Sequence, residues 1–348
     1  MGGLSTVFPT LLDVARATDP KGKIPVIAEV LQQYNDILDD IPWYEGNLAT
    51  GHLSVIRTSK PAGTWRSLNK GITATKSTVG QITNTCGMLE ALSHIDVEIA
   101  KMNGNTEAFR FSQDQGFIEG LSDTMSETLI YGNVSVDPEE FDGLASRYFS
   151  LGSTYTTSTQ MIDGGGTGSD NTSIWLVGWG PNKVYGIYPK GSKAGLEHDD
   201  DGVITISDPN NAGAFLKVYQ SHFKWKAGLA VDDYRYVVRI CNIDVSALLT
   251  AGDTSDTSAN IIKLMVMALG KLPPRAGVRP VFYMNETVQT MLAVKLLDKG
   301  NVWLSMGEIK GTPVFRPDDT LKFQGVPCRR IDSILNAEDQ ITTATVPV

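Results

Sequence analysis

The chain has 348 residues, 30 Lys and Arg against 39 Asp and Glu, and a formal charge of −9. That balance argues against tight non-specific nucleic-acid binding, which needs clustered Lys and Arg to meet phosphates. Only 20% of residues are charged, below the roughly 25% usual for a soluble domain, so much of the surface is expected to face other protein.

In chain order, residues 1–47 carry one helix signal. Ile24, Ile27, Leu31, Tyr34 and Leu38 recur at three- and four-residue steps after the Asp19-Pro20 breaker. Residues 48–80 differ from the rest: they hold Arg57, Lys60, Arg66, Lys70 and Lys76 and no acid, a charge of +5. Within them Leu53-Ser-Val-Ile-Arg-Thr58 reads as a strand and Lys60-Pro-Ala-Gly-Thr64 as a turn. Trp65, Leu68 and Ile72 follow, and Thr78-Val-Gly-Gln-Ile-Thr83 reads as a returning strand. The reading is a long hairpin with too few large apolar residues to stand alone, so it is expected to lie against something.

The strongest element is a helix over 105–131, with Asn105 as N-cap, Glu107 in the first turn and Gly132 as the stop. Phe111, Phe117, Leu121, Met125 and Leu129 trace its apolar face, and Asp114, Glu119, Asp123 and Glu127 its outer face. Gly116 and Gly120 are expected to allow close packing on a strand. Residues 81–150 as a whole carry −9.

Beyond residue 150 the chain is turn-rich. Gly164-Gly-Gly-Thr-Gly168 reads as a flexible loop before the buried strand Ile174-Trp-Leu-Val177, and Val184-Tyr-Gly-Ile-Tyr188 as a further strand. Tyr234 to Ile240 is a strong strand signal. Helices are expected over 259–269, closed by Gly270, and over 286–299, capped by Asn285 and closed by Gly300. A short strand over 279–284 lies between them, and strands over 310–315 and 323–328 end the pattern. Helices and strands come in runs, which predicts an α+β protein. The length suggests two compact units.

Few residues point to chemistry. The glycine run lacks the Lys-Ser/Thr that closes a P-loop. His198, Asp199, Asp200 and Asp201 could offer ligands to a cation, but without calcium-loop spacing they read as a solvated turn. The four histidines (His52, His94, His198, His222) fall in no catalytic pattern. His94 reads as a structural residue in a strand running on through Val97-Glu98, and His222 as an aromatic core member beside Phe223 and Trp225. Cys86, Cys241 and Cys328 are too far apart for a zinc or disulfide motif, which suits a reducing compartment. No 18-residue apolar run exists, so no membrane span is expected. No cofactor and no catalytic site are assigned.

The order of these elements resembles the major capsid proteins of tailed bacteriophages of the Hong Kong 97 type. Several stretches are similar in wording as well: Asp39-Asp-Ile-Pro-Trp43-Tyr-Glu-Gly-Asn47, Thr83-Asn-Thr-Cys86-Gly-Met-Leu-Glu90, residues 109–132 ending Leu-Ile-Tyr-Gly, Gly168-Ser-Asp-Asn-Thr-Ser-Ile-Trp175, Gly186-Ile-Tyr-Pro-Lys-Gly191 and Tyr236-Val-Val-Arg239-Ile-Cys-Asn-Ile-Asp244. The resemblance implies an N-terminal arm (1–47), an extended loop (48–80) that reaches over a neighbouring subunit, and a spine helix (105–131). It also implies a discontinuous peripheral domain (81–160 and 305–348) and a largely axial domain (161–304). Arg57, Lys60, Trp65, Arg66 and Lys70 would then contact another subunit, with Asp114, Glu119, Asp123 and Glu127 as acidic counterparts on the spine helix.

The function implied is a shell of hexamers and pentamers around double-stranded DNA, without sequence-specific binding, in a virion assembled in the cytoplasm of a bacterial host. The spine helix begins too early for a fused scaffolding segment, so a separate scaffolding protein is expected, with a portal; a decoration protein is left open. Lys60 and Lys70 lie in the loop, but no asparagine partner or activating glutamate for a covalent crosslink is identified. Two other readings stay open. One is a cytosolic enzyme built around His198 and Asp199–Asp201; the other is a tail component or binding module using Phe223, Trp225 and Tyr234.

Overall fold

The computed structural model describes residues 35–102, 106–208, 213–250, 260–274, 277–296, 304–306 and 321–343. Most of the arm helix, the N-cap at Asn105 and the strand expected over 310–315 lie outside the described residues. The described chain opens with α1 (Ile37–Asp40) and β1 (Trp43–Glu45), then β2 (Gly51–Ser59), β3 (Thr78–Thr85) and β4 (Gly87–Asp96). α2 (Val97–Lys101) and α3 (Thr106–Tyr131) follow. Next come β5 (Met161–Asp163), β6 (Asn171–Trp179), β7 (Val184–Tyr188), β8 (Leu196–Ser207), β9 (Phe215–Val231) and β10 (Val237–Asp244). The chain continues with α4 (Val245–Thr250), α5 (Ile261–Lys271), β11 (Arg279–Met284), α6 (Glu286–Leu296), β12 (Leu304–Met306), β13 (Leu321–Phe323) and β14 (Val326–Arg330). No helix among the described residues is long and apolar enough to cross a membrane.

One large mixed sheet runs β12-β13-β14-β11-β6-β7-β9-β4, with β10 and β5 beyond β6, β1 on β7 and β8 on β9. At its centre β6 is buried at every residue, between antiparallel β10 and β11. A strand covered on both faces reads as a continuous apolar run, which is why Ile174-Trp-Leu-Val177 was legible. Asn285 caps α6 as expected, its Oδ1 accepting from Val288 N at 3.0 Å, and Asn260 caps α5 in the same way through Lys263 N. Gly270 lies inside α5 rather than closing it, and Tyr234–Tyr236 forms a 3-10 turn before β10 begins.

Around α3 several expectations change. Leu121, Met125 and Leu129 are buried, but Phe111 is 71% exposed, and Phe109 takes its place in a small core with Ile95 and Ala100. The stripe drifts because an apolar row at four-residue steps winds slowly around a helix of 3.6 residues per turn. A Cβ at Gly116 or Gly120 would meet nothing within 4 Å, so among the described residues no strand packs against that step. Asp114 is buried rather than outward: its Oδ2 accepts from Ser221 Oγ on β9 at 3.1 Å. His94 lies in β4, but the strand ends at Asp96, whose side chain caps α2 by accepting from Glu98 N at 2.7 Å.

The Gly164–Gly168 run, read as flexible, closes tightly on the end of β10. Gly164 N and Gly166 N donate to the Cys241 and Asn242 carbonyls, each at 2.8 Å. A Cβ at Gly166 would fall 2.8 Å from the Asn242 carbonyl oxygen, so the close approach requires glycine.

Other pairings join parts of the chain far apart in sequence. β8 and β9 pair with each other and, through β9, with β4, on the sheet against which α3 packs. β14 runs parallel to β11.

Candidate inter-subunit surface

β2 and β3 form an antiparallel hairpin that is a separate two-stranded sheet. It extends from Gly51↔Thr85 at the base to Ser59↔Thr78, so the returning strand runs two residues past the expected end at Thr83. At about 3.4 Å per residue a nine-residue strand spans roughly 30 Å. The base is tight: a Cβ at Gly51 would lie 2.1 Å from the Asn84 carbonyl oxygen. Beyond the base the side chains face outward on both sides. Val55, Val79, Leu68 and Ile72 are exposed and Trp65 fully so, at 103%.

Arg57, Lys60, Arg66, Lys70 and Lys76 are all exposed. Their chemistry was read from the absence of acids nearby in sequence, and among the described residues no ion pair includes any of the five. A hairpin that leaves its apolar and basic side chains in water buries almost nothing by itself.

The acids expected to answer it are divided. Glu127 is exposed and Glu119 half-buried. Asp123 accepts from Asn35 Nδ2 at 2.5 Å, and burial, opposed by that bond and reinforced by Glu119 and Asp332, raises its pKa. Asp114 is withdrawn into the chain's own core, as described above.

At the hairpin base a groove of about 760 Å³ separates β2 from the loop before β10, lined among others by His52, Arg57, Lys60, Asp232, Asp233 and Arg235. Arg235 grips Asp233 with Nε and Nη2 at 2.9 and 2.8 Å. Although burial works to raise it, that fork holds the Asp233 carboxyl below its ordinary range. Burial, and then the hydrogen bond to Asp232, push the Tyr185 hydroxyl well above its usual value.

His198 and Asp199–Asp201 lie in β8, not in a turn, with a bulge between Asp200 and Gly202. Each side chain has its own partner. His198 stacks on Phe223, Asp199 meets Lys224 at 3.2 Å, Asp200 meets Arg110 at 2.7 Å, and Asp201 accepts from Gln220 at 2.6 Å. Alternation along the strand points successive side chains to opposite faces, which separates the carboxylates. Among the described residues no group of three or more His, Cys, Asp and Glu converges as a metal site would require. His222 is not in the aromatic core: it faces away from Phe223 and meets Glu90 at 3.2 Å.

The Arg110 hydrogen bond holds the Asp200 carboxyl below its usual range near 3.8. A depressed folded pKa stabilises above the unfolded value, and the contribution is lost as pH falls through the folded value. Asp200→Asn is therefore expected to cost up to about 1 kcal/mol at neutral pH. In urea titrations at a series of pH values, the difference from wild type should begin to shrink only below about pH 4 and should vanish once pH has fallen through the folded value.

The family model described as major capsid protein GP7 matches residues 19–342. A chain in the near-atomic structure of bacteriophage Epsilon15 is similar at 30% identity and a TM-score of 0.78, covering 99% of this chain and 100% of that one. A chain of the bacteriophage JBD30 capsid is similar at 10% identity and a TM-score of 0.44, covering 95% and 96%. No curated protein sequence matches.

Proposed function

The chain belongs to the major capsid protein GP7 family, and from that premise we propose how its surfaces serve the shell. As a tailed-phage major capsid protein it forms the icosahedral shell of the virion, in the fold shared by Hong Kong 97-type capsids. The finer reading is that the hairpin of one copy lies over its neighbour in hexamers and pentamers, carrying Arg57, Lys60, Trp65, Arg66 and Lys70 into that contact. The observation that carries this is a hairpin, a separate two-stranded sheet, whose apolar and basic side chains are exposed and make no ion pair among the described residues. Contacts of this kind gain by repetition, since each is multiplied over a closed symmetric assembly.

In the same reading residues 81–160, with the spine helix, and 305–348 make the discontinuous peripheral domain, and residues 161–304 largely the axial one. A separate scaffolding protein and a portal, assembly in the host cytoplasm and enclosure of double-stranded DNA complete the proposal. An acidic chain suits a wall that holds DNA without gripping it.

The test is the double reversal Arg57→Glu with Arg66→Glu. Both side chains are exposed, so the monomer is expected to keep its circular dichroism and unfolding midpoint while sedimentation shows assembly strongly reduced. Shells formed at the wild-type level would refute the assigned role of the hairpin.

A further inference from the structure

β8 pairs with β9 along one side only; among the described residues nothing pairs with its other edge. Open edges invite strand addition, and proteins guard them with charge, bulges, proline or glycine. One half of β8 is guarded in this way, by Glu197, Asp199, Asp200, Asp201 and the bulge before Gly202. The other half, residues 203–207, is Val-Ile-Thr-Ile-Ser, with no charge, proline or glycine.

The hairpin tip holds a segment that matches it. Residues 71–76, Gly-Ile-Thr-Ala-Thr-Lys, are exposed, rich in strand-forming types, and make no backbone hydrogen bond among the described residues. Laid antiparallel with Thr73 opposite Thr205, Ile72 falls opposite Ile206 and Ala74 opposite Ile204, while Thr75 meets Val203. Directly opposed residues share a face of the sheet, so apolar residues gather on the side where Ile204 and Ile206 are already half-buried. The charges agree in the same register. Lys70 comes opposite Asp208, and Lys76 opposite Gly202, beside Asp201. A slip of one residue would turn every side chain to the wrong face.

We propose that residues 71–76 of one copy add as a strand to the open edge of β8 in a neighbouring copy, at residues 203–207. This rests on the reading that the hairpin reaches a neighbour, and it names where the tip lands.

Two measurements test it. In assembled shells, Thr73→Cys with Thr205→Cys is expected to give a covalent ladder under mild oxidation, while Thr73→Cys with Glu119→Cys gives none. A ladder only from the 73–119 pair would overturn the landing site and keep the reach of the hairpin. No ladder from either pair would overturn both. In wild-type protein, hydrogen exchange at residues 72–75 and 203–207 is expected to slow at least tenfold on assembly. Unchanged exchange at 203–207 in shells would refute the proposal without any substitution.

Discussion

Replacing Glu338 with alanine is expected to lower the stability of the chain by about 3–5 kcal/mol, the range for breaking a buried ion pair by removing one partner. Glu338 Oε2 lies 3.1 Å from Arg239 Nη2, and both side chains are nearly fully buried. Arg239 also donates to Ser173 Oγ at 3.1 Å and to the Tyr148 carbonyl at 2.9 Å, and lies 4.7 Å over the Trp175 ring. Tyr131, the last residue of α3, donates to Glu338 Oε1 at 2.6 Å, and burial, then the adjacent carboxylate, raise its pKa far above the ordinary value. Removing Glu338 leaves a guanidinium desolvated without its counter-charge and frees the end of the long helix. Urea unfolding should report the loss, and Glu338→Gln, which keeps the shape and part of the hydrogen bonding, should recover some of it. A change under about 1 kcal/mol would mean that the buried group relaxes to water instead.

Two tryptophans give the second result. Trp175, wholly buried in β6 beside Tyr148, is expected to cost about 3–5 kcal/mol on truncation to alanine, from lost transfer energy and the cavity left behind. Trp65, fully exposed at the hairpin tip, should cost the monomer almost nothing on the same truncation, while shell yield falls. Thermal unfolding of unassembled protein alongside sedimentation of assembly reactions separates the two. Equal monomer destabilisation by both variants would show that Trp65 packs within its own chain.

The contrast explains what was legible in the sequence. Trp175 sits in a continuous apolar run, and Trp65 in an acid-free stretch of turn residues; composition alone distinguished core from outreach. Local pattern likewise gave the hairpin, the long helix and the cap at Asn285. It misread whatever is decided by partners distant in sequence. Asp199–Asp201 looks like a turn until β9 pairs with it, because three acids are poor strand formers unless Arg110, Gln220 and Lys224 answer them. Asp114 looked outward because periodicity gives no sign of Ser221, 107 residues away. β4 meets β9 across an even longer separation, a pairing that no local pattern announces. The net charge changes meaning in the same way. Among the described residues the basic hairpin makes no ion pair, while part of the acid of α3 is consumed internally.

Electron microscopy of the assembled protein tests the central claim most directly. The account predicts closed icosahedral shells built of hexamers and pentamers, with each hairpin lying over an adjacent copy. Small discrete particles under every assembly condition, with the hairpin folded back on its own chain, would contradict it.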